Sequence, residues 1–534
     1  MFNQLVTPVG ESLLLSFAVA AIPIAVVLIF LGVVRRPAWQ AAGAGLLVGL
    51  IIAVTAWQMP AVAAFSSIAN GAAFALVPVM WIVFNALVLY NITVVSGRFD
   101  AFRAWMMEHL PNDRRVVLVV IGFSFGCLLE GISGFGTPVA ITSALLIALG
   151  FPAMEAIVFT LIFNTAPVAF GALGTPVTTL GAVTQLSDQT LGAMIGRQLP
   201  FLAFLLPFYA IGLYGGLRAL KGVWPVLFVA GGSFALAQFV TSNYLSYALT
   251  DVLASMGSLI LTVSFIKVWK MPADPAFALN APAQTRTQSA AAVGSWHGWI
   301  PWTLLAAVVI LWTHFRVAGI GQIPVQWPAL HNQIFITTYD RPYAAIWNFQ
   351  PLGTGTAILV TSLLVAILVR LKLGDLVRAF ADAFKQWRMP ALTTMLIIGL
   401  AYLMNYSGMT YTLGVAVASA GFIFPFLSAF LGWLAVFLSG SDTSGNALFG
   451  NLQVVAAREL NLDPVLMAAT NSSGGVLGKM ISPQNLTTGT SITGLAGREG
   501  EVLARTFKHS IILTVLLGLL VMGQQYLFDW MIPK

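Results

Sequence analysis

Charge is the scarcest property of this 534-residue chain. Only 8% of its residues are Asp, Glu, Lys or Arg, 18 acidic and 25 basic, against about 25% in an ordinary soluble domain. Hydrophobic residues make up 58%, and mean hydropathy is +0.89. A soluble fold cannot hide so much apolar surface, because even large domains keep a charged shell. The deficit excludes a cytosolic enzyme and a nucleic-acid binder. Cysteine is nearly absent. Cys127 alone excludes a disulfide framework or a zinc site built on several cysteines, and no metal or cofactor is expected. Histidine is also sparse: His109, His297, His331 and His509 read as loop or interface residues, and His314 as a helix end. There is no Ser–His or His–Glu–His constellation with catalytic spacing, no P-loop and no Rossmann fingerprint, so the chain does not read as an enzyme. The net charge of +7 then reads as basic loops on the cytoplasmic side of a membrane.

What the chain has in quantity is apolar runs of spanning length. They recur at 13–34, 38–57, 72–96, 116–129, 137–150, 155–173, 198–216, 223–242, 247–269, 299–316, 354–372, 390–405, 411–438, 465–480 and 509–530. The runs are continuous rather than alternating, which argues against a β-barrel. At about 20 residues per span, 12–14 helices would use roughly 240–280 residues. The expected fold class is therefore all-α, a polytopic helical membrane protein of about 12–14 spans. The first run lacks a basic leader and is longer than the roughly 15 residues of a signal core, so it is expected to stay as a helix. Arg35, Arg36, Arg98, Arg103, Arg114, Arg115, Lys267, Lys270 and the cluster Arg370, Lys372, Arg378, Lys385, Arg388 can all lie in the cytoplasm if both termini are outside. The uncharged stretch 58–71 then reads as an external loop. The stretch 271–298, rich in Ala, Pro, Thr and Gln, reads as a cytoplasmic linker between transmembrane halves 1–270 and 299–534. A second long loop, 317–353, carries aromatics (Trp327, Phe335, Tyr339, Tyr343, Trp347) suited to the membrane interface.

An internal repeat carries the chemistry. LLEGISGFGTPVAI (128–141) and NTAPVAFGALGTP (164–176) are matched by LSGSDTSGNALFG (438–450) and NSSGGVLGKMISP (471–483). Each copy sets a carboxylate, Glu130 or Asp442, among glycines and hydroxyl residues. About 30 residues on, each has an Asn, Asn164 or Asn471, followed by Gly seven and Pro twelve positions later. Gly and Pro break helices and free backbone groups, and such backbone is tolerated at membrane depth only where it lines a cavity or is packed in protein. Paired interrupted segments point to a transporter's binding site. The residues alone leave open whether the repeat is parallel or inverted, with inverted favoured by the span count.

Each candidate has a bland alternative. Membrane glycines are often close-packing positions, and Glu130 or Asp442 could be buried hydrogen-bonding groups. A charge at membrane depth nevertheless costs about 2.5–3.5 kcal/mol on insertion scales, which favours function for Glu130, Asp442 and Lys479. Lys479 could instead be a structural ion pair, Arg197 an interfacial anchor, and Cys127 mere packing. The run Asn405–Gly408 and Thr354 and Thr356 are polar spots that could line a pathway.

These stretches resemble the L-lactate permease family, which includes bacterial glycolate permeases. The match extends through GRQLPF, WPVLFVAGGSFALAQ, GTGTAIL, NYSG, FLGWLAVFLSGSDTSGNALF and GGVLGKMISPQ, from about residue 20 to the C-terminus. The resemblance implies a multi-pass bacterial inner-membrane protein that imports lactate or glycolate with protons. It also implies inverted repeats, re-entrant hairpins and an elevator-like division into scaffold and transport domain. It carries over at Glu130, Asn164, Asp442, Asn471, Lys479 and Gln484. The family pattern has alanines where this chain has Ile132, Ser133 and Thr137, so hydroxyls are added near Glu130.

The combined expectation is proton symport of a small 2-hydroxy monocarboxylate (L-lactate, D-lactate or glycolate). Lys479, with Arg197, would neutralise the carboxylate. Half-helix N–H groups near Gly134–Thr137 and Ser473–Gly475 would cradle it. Asn164 and Asn471, with Ser133, Thr137, Thr443, Ser473 and Gln484, would hold the hydroxyl end. Glu130 and Asp442 would carry the coupling proton, since a carboxyl removed from water holds its proton more readily. The expected partners are the carboxylate, the proton and the lipid bilayer, not nucleic acid, and a homo-oligomer is compatible with such a chain. A sodium-coupled carboxylate or dicarboxylate carrier is the rival reading.

Overall fold

The computed structural model describes residues 1–32, 34, 36–134, 137–272, 274–279 and 294–533. Most of the proposed 271–298 linker lies outside them. Ten helices among the described residues are long and apolar enough to cross a membrane, eleven if a bent pair counts as one span. Polarity is inside-out. Leu14, Leu217 and Ile367 are more than 70% exposed, whereas Gln198, Gln453, Asn446 and Asn471 are fully buried. Water would penalise that arrangement, and a hydrocarbon surround favours it. The chain is a multi-pass helical membrane protein.

After a two-residue strand, β1 (Phe2–Asn3), come α1 (Leu13–Gly32), α2 (Ala38–Thr55), α3 (Ala61–Phe74) and α4 (Trp81–Val95). α3 and α4 form one long element interrupted near Val77, where the backbone leaves helical geometry. The reading of 58–71 as a loop is corrected here: the chain is helical from Ala61. Gly71 lies against the backbone of Ile398 and Gly399, and Ser67 bonds its own helix at the Ala63 carbonyl (2.7 Å). The lack of charge marked a packed helix of small residues.

α5 (Arg98–His109) precedes α6 (Arg114–Val117), which runs through a π-helical stretch into α7 (Gly126–Ser133). From Arg115 to Ile132 this span is entirely buried. α8 (Thr137–Ala148) and α9 (Ala153–Phe163) follow, then α10 (Gly171–Thr184) and α11 (Asp188–Ile195). α12 (Leu199–Val240) folds back at Gly215–Gly216, where Gly216 takes φ +63°. Gly231 then packs on the Phe204 carbonyl, so this stretch supplies two passes. α13 (Thr250–Val268) and α14 (Ile300–His314) complete the first part.

The loop 317–353 is built from short strands: β2 (Ile323–Gln326), β3 (Ile334–Ile336), β4 (Arg341–Pro342) and β5 (Ile346–Phe349). β1 pairs in parallel with β3, and β2 pairs antiparallel with β5. Its tryptophans tie it down, Trp327 donating to the Ser66 carbonyl (3.0 Å) and Trp347 to that of Val77 (3.2 Å). α15 (Thr354–Leu368) leads to α16 (Leu373–Ser407). Of the basic cluster, Arg370 and Lys372 lie in the turn between α15 and α16, and Arg378, Lys385 and Arg388 lie in the first part of the 35-residue α16, with Asp382 between Arg378 and Lys385, a spacing that supports helix. The chain ends with α17 (Met409–Val417), α18 (Phe424–Ser439), α19 (Asp442–Glu459), α20 (Pro464–Lys479), α21 (Pro483–Ile492) and α22 (Glu499–Tyr526).

Candidate functional site

Both repeat copies fold as helix, break, helix. Gly134 ends α7 at φ +57°, and Gly440 ends α18 at φ +71°. Both are backbone states that glycine adopts without a Cβ penalty. ISGFGT (132–137) therefore aligns with LSGSDT (438–443). Each copy has a second break, at residues 172–174 with positive φ throughout and between α20 and α21 at 480–482. Pro176 and Pro483 follow these breaks, where a helix start tolerates proline. The proline of each Gly-then-Pro spacing thus marks a helix restarted after a chain break.

The same alignment separates the two carboxylates. Asp442 matches Gly136, not Glu130. Glu130 sits in the last turn of α7 before its break, and Asp442 opens α19 after its own. They are two different groups brought to one cavity. That cavity, about 30 Å³, is lined by Glu130, Asp442 and Lys479, by Thr175, Thr443 and Gln484, and by backbone at the breaks, including Gly134 and Gly440. It has room for two or three water-sized groups at roughly 10–15 Å³ each.

Lys479, 5% exposed, is held by Glu130, 2% exposed, with Nζ 2.5 Å from Oε1. The other Glu130 oxygen accepts from Asn164 (3.0 Å). Gly171 faces Glu130 closely enough that a Cβ would press on Oε1. Asp442 accepts from Ser472 (2.5 Å) and Asn446 (3.3 Å) through Oδ2. Its Oδ1 is buried and has no hydrogen-bond partner among the described residues. Gly475 faces that oxygen, and a Cβ there would collide with it. Ser441 caps α19 by accepting from the Ser444 N–H (3.3 Å), so Asp442 stands at the positive end of a helix.

The cavity does not gather every expected residue. Asn471 is buried behind it, donating to Asn446 (3.0 Å) and accepting from Gln453 (3.2 Å). Ser473 donates to Gln198 (2.7 Å). No half-helix begins at Ser473–Gly475, because α20 runs unbroken through it. Those glycines and their neighbours serve packing instead: Gly474 abuts the Ala429 carbonyl, Gly478 that of Trp433, and Gly432 that of Asn471. The second helix start at the cavity is that of α19. Arg197 is away from the cavity, bonded to Asn243 (2.8 Å) and the Met531 carbonyl (2.8 Å). Asn405 and Thr356 likewise bond protein, at the Val183 and Pro351 carbonyls. Phe135 and Gly136 and the side chains of Ser133 and Thr137 lie outside the described residues.

One carboxylate escaped the sequence reading. Asp251, in the first turn of α13, is 1% exposed, and its Cβ lies against Gly131, the residue after Glu130. The signal was present, a lone acid inside the apolar run 247–269, the same feature that marked Glu130. It lacked only the neighbouring glycines.

The L-lactate permease family model matches residues 16–528. The chain is 39% identical to the glycolate permease GlcA of Escherichia coli, over 99% of each chain. It is 38% identical to the L-lactate permease of Bacillus subtilis, over 100% of each. Its fold is similar to that of MtrF from Neisseria gonorrhoeae, with TM-score 0.50 at 11% identity over 94% of this chain and 97% of that one. The bacterial relatives and the helical spans put it in the inner membrane, and by both match and coverage the chain belongs to the L-lactate permease family.

Proposed function

We propose that this chain is not an enzyme but a secondary transporter that imports small 2-hydroxy monocarboxylates, L-lactate, D-lactate and glycolate, by proton symport. The names of its relatives support the substrate class. The observation that carries the coupling is the charge balance at the cavity, where one ammonium, Lys479, is held by Glu130 with Asp442 beside it. An incoming carboxylate seeks the same ammonium. When it takes Lys479, Glu130 is left in a dry site without its counter-ion, and a buried carboxylate without a partner is far costlier than a neutral acid. Uptake of one proton by Glu130 removes that cost, so anion and proton bind together. Each favours the other, as linkage requires. The α19 helix start offers N–H groups to the anion. Thr175, Thr443, Gln484 and the free oxygen of Asp442 suit the 2-hydroxyl.

Purified protein in liposomes tests this directly. An inward proton gradient is expected to drive accumulation of labelled L-lactate and glycolate, with no sodium requirement. Accumulation driven by sodium alone would overturn it in favour of a sodium-coupled carrier.

A further inference from the structure

Asp251 does not line the cavity, yet it is a buried acid, 1% exposed. Neither of its carboxylate oxygens has a hydrogen-bond partner among the described residues. The titratable groups facing it are Glu130 and Cys127 from α7 and Lys479 from α20. The π-helical stretch before α7, and α10, also pack on α13 but carry no titratable residue, while α14 and the turn 241–245 contribute His314 and Tyr244, both exposed. The charged residues of α12, Arg218 and Lys221, lie beside its fold-back, and Tyr247, just before α13, is engaged by Asp188 (2.7 Å).

Asp251 also begins a file of hydroxyls. Ser255, Ser258 and Thr262 follow it at i+4, i+7 and i+11, one face of α13, and all are fully buried. Ser258 pairs with Ser124 (2.8 Å) and donates to the Ala230 carbonyl (3.0 Å). The hydroxyls of Ser255 and Thr262 have no partner among the described residues. Other buried helical hydroxyls are divided: Thr361, Ser362 and Thr506 bond the carbonyl four residues back, whereas Thr142, Ser143, Thr160 and Thr179 have no partner among the described residues; those on α13 are set apart by lying in file with a buried carboxyl. Beyond Thr262 lies the last turn of α13, where Lys267 is exposed. Successive members of the file are three or four residues apart, a rise of about 4.5–6 Å along the axis, so the hydroxyls stand one above another on that face.

Resting on the proton-symport reading, we propose that Asp251 is a second proton-carrying carboxyl. The hydroxyls of Ser255, Ser258 with Ser124, and Thr262 relay protons between it and the membrane face at Lys267. On import, the proton that Glu130 took up with the substrate passes across Gly131 to Asp251 when Lys479 returns to Glu130, and the relay releases it at the Lys267 face, the side read as cytoplasmic. Charge and proton number balance, because the proton lost by one carboxyl is gained by the other.

The test is L-lactate-driven acidification of liposomes loaded with a pH-sensitive dye, read beside L-lactate counterflow at equal pH on both sides. Wild type is expected to acidify the lumen. Asp251→Asn should lower the protons moved per lactate at least several-fold. Ser255→Ala/Thr262→Val should slow acidification several-fold, with counterflow half-saturation unchanged and with rescue by Ser255→Thr/Thr262→Ser. Absence of acidification by wild type refutes the symport reading itself. Acidification by wild type that persists undiminished in Asp251→Asn and in the double variant refutes the relay and leaves symport standing. The double variant keeps the relay testable if Asp251→Asn fails to fold.

Discussion

Lys479 is the residue on which the proposed coupling turns, and the structure allows its two roles to be separated. Lys479→Met removes the ammonium 2.5 Å from Glu130 in a site where both partners are nearly inaccessible. Breaking one side of a buried pair costs about 3–5 kcal/mol, because the remaining charge is left uncompensated. Here the figure is an upper bound, since Glu130 keeps its bond from Asn164 and can take up a proton. Glu130→Gln/Lys479→Met removes both charges and retains an amide that can bond Asn164, so most of that loss should return. Substrate binding should not return with it. A charge-assisted hydrogen bond contributes about 1.5–3 kcal/mol, so lactate should bind roughly 10–150-fold more weakly in the single and the double variant alike. Thermal unfolding in detergent, followed by tryptophan fluorescence, reads the first effect, and the half-saturation of counterflow reads the second. A double variant with wild-type half-saturation would reduce Lys479 to a structural counter-ion and refute the competition on which coupling rests.

Three further outcomes follow from the same geometry. Glu130→Gln should abolish pH-dependent uptake, and Asp442→Asn should impair it; if initial-rate measurements across pH show wild-type dependence in both, neither carries the proton. Gly432→Ala drives a methyl into the Asn471 carbonyl between α18 and α20 and should cost about 1–3 kcal/mol as overpacking, read as a lowered melting temperature. Arg197→Ala should lower thermal stability through loss of its bonds to Asn243 and Met531 while half-saturation stays within twofold; a tenfold rise would return Arg197 to the binding site.

The sequence reveals most where a residue is out of place in its surroundings. Glu130 and Lys479 in apolar, glycine-rich runs were legible as charges out of place, and the structure brings them together although they are 349 residues apart. The paired Gly and Pro spacings were legible as breaks because few other structures require them in a membrane. The positions of the breaks were not. One glycine among several takes positive φ, and only packing selects Gly134 and Gly440 over Gly474 or Gly475. Arg197 and Ser473 illustrate the same limit, since residue type gives the capacity for a bond and tertiary neighbours decide which bond is made. Asn471 sits in a network with Gln453, Ser428 and Asn446, whose members are individually unremarkable and meaningful only as a closed set of satisfied buried amides.

The helix ends explain why coupling should reside in Glu130 rather than Asp442. Asp442 opens α19, where the helix dipole favours a negative charge, and Lys479 closes α20, where it favours a positive one. Glu130 is the exception. It is a carboxylate in the last turn of α7, the end at which the dipole opposes it. Among the described residues its charge is supported by Lys479 and by one amide from Asn164. Asp442 loses little when Lys479 moves, because Ser472, Asn446 and its own helix start remain. Under the proposed competition for Lys479, Glu130 would lose its main support when the substrate arrives. A carboxylate placed against the field of its own helix, and steadied by the cation for which the substrate is proposed to compete, would tie protonation to occupancy in a way that one stabilised by its own helix would not.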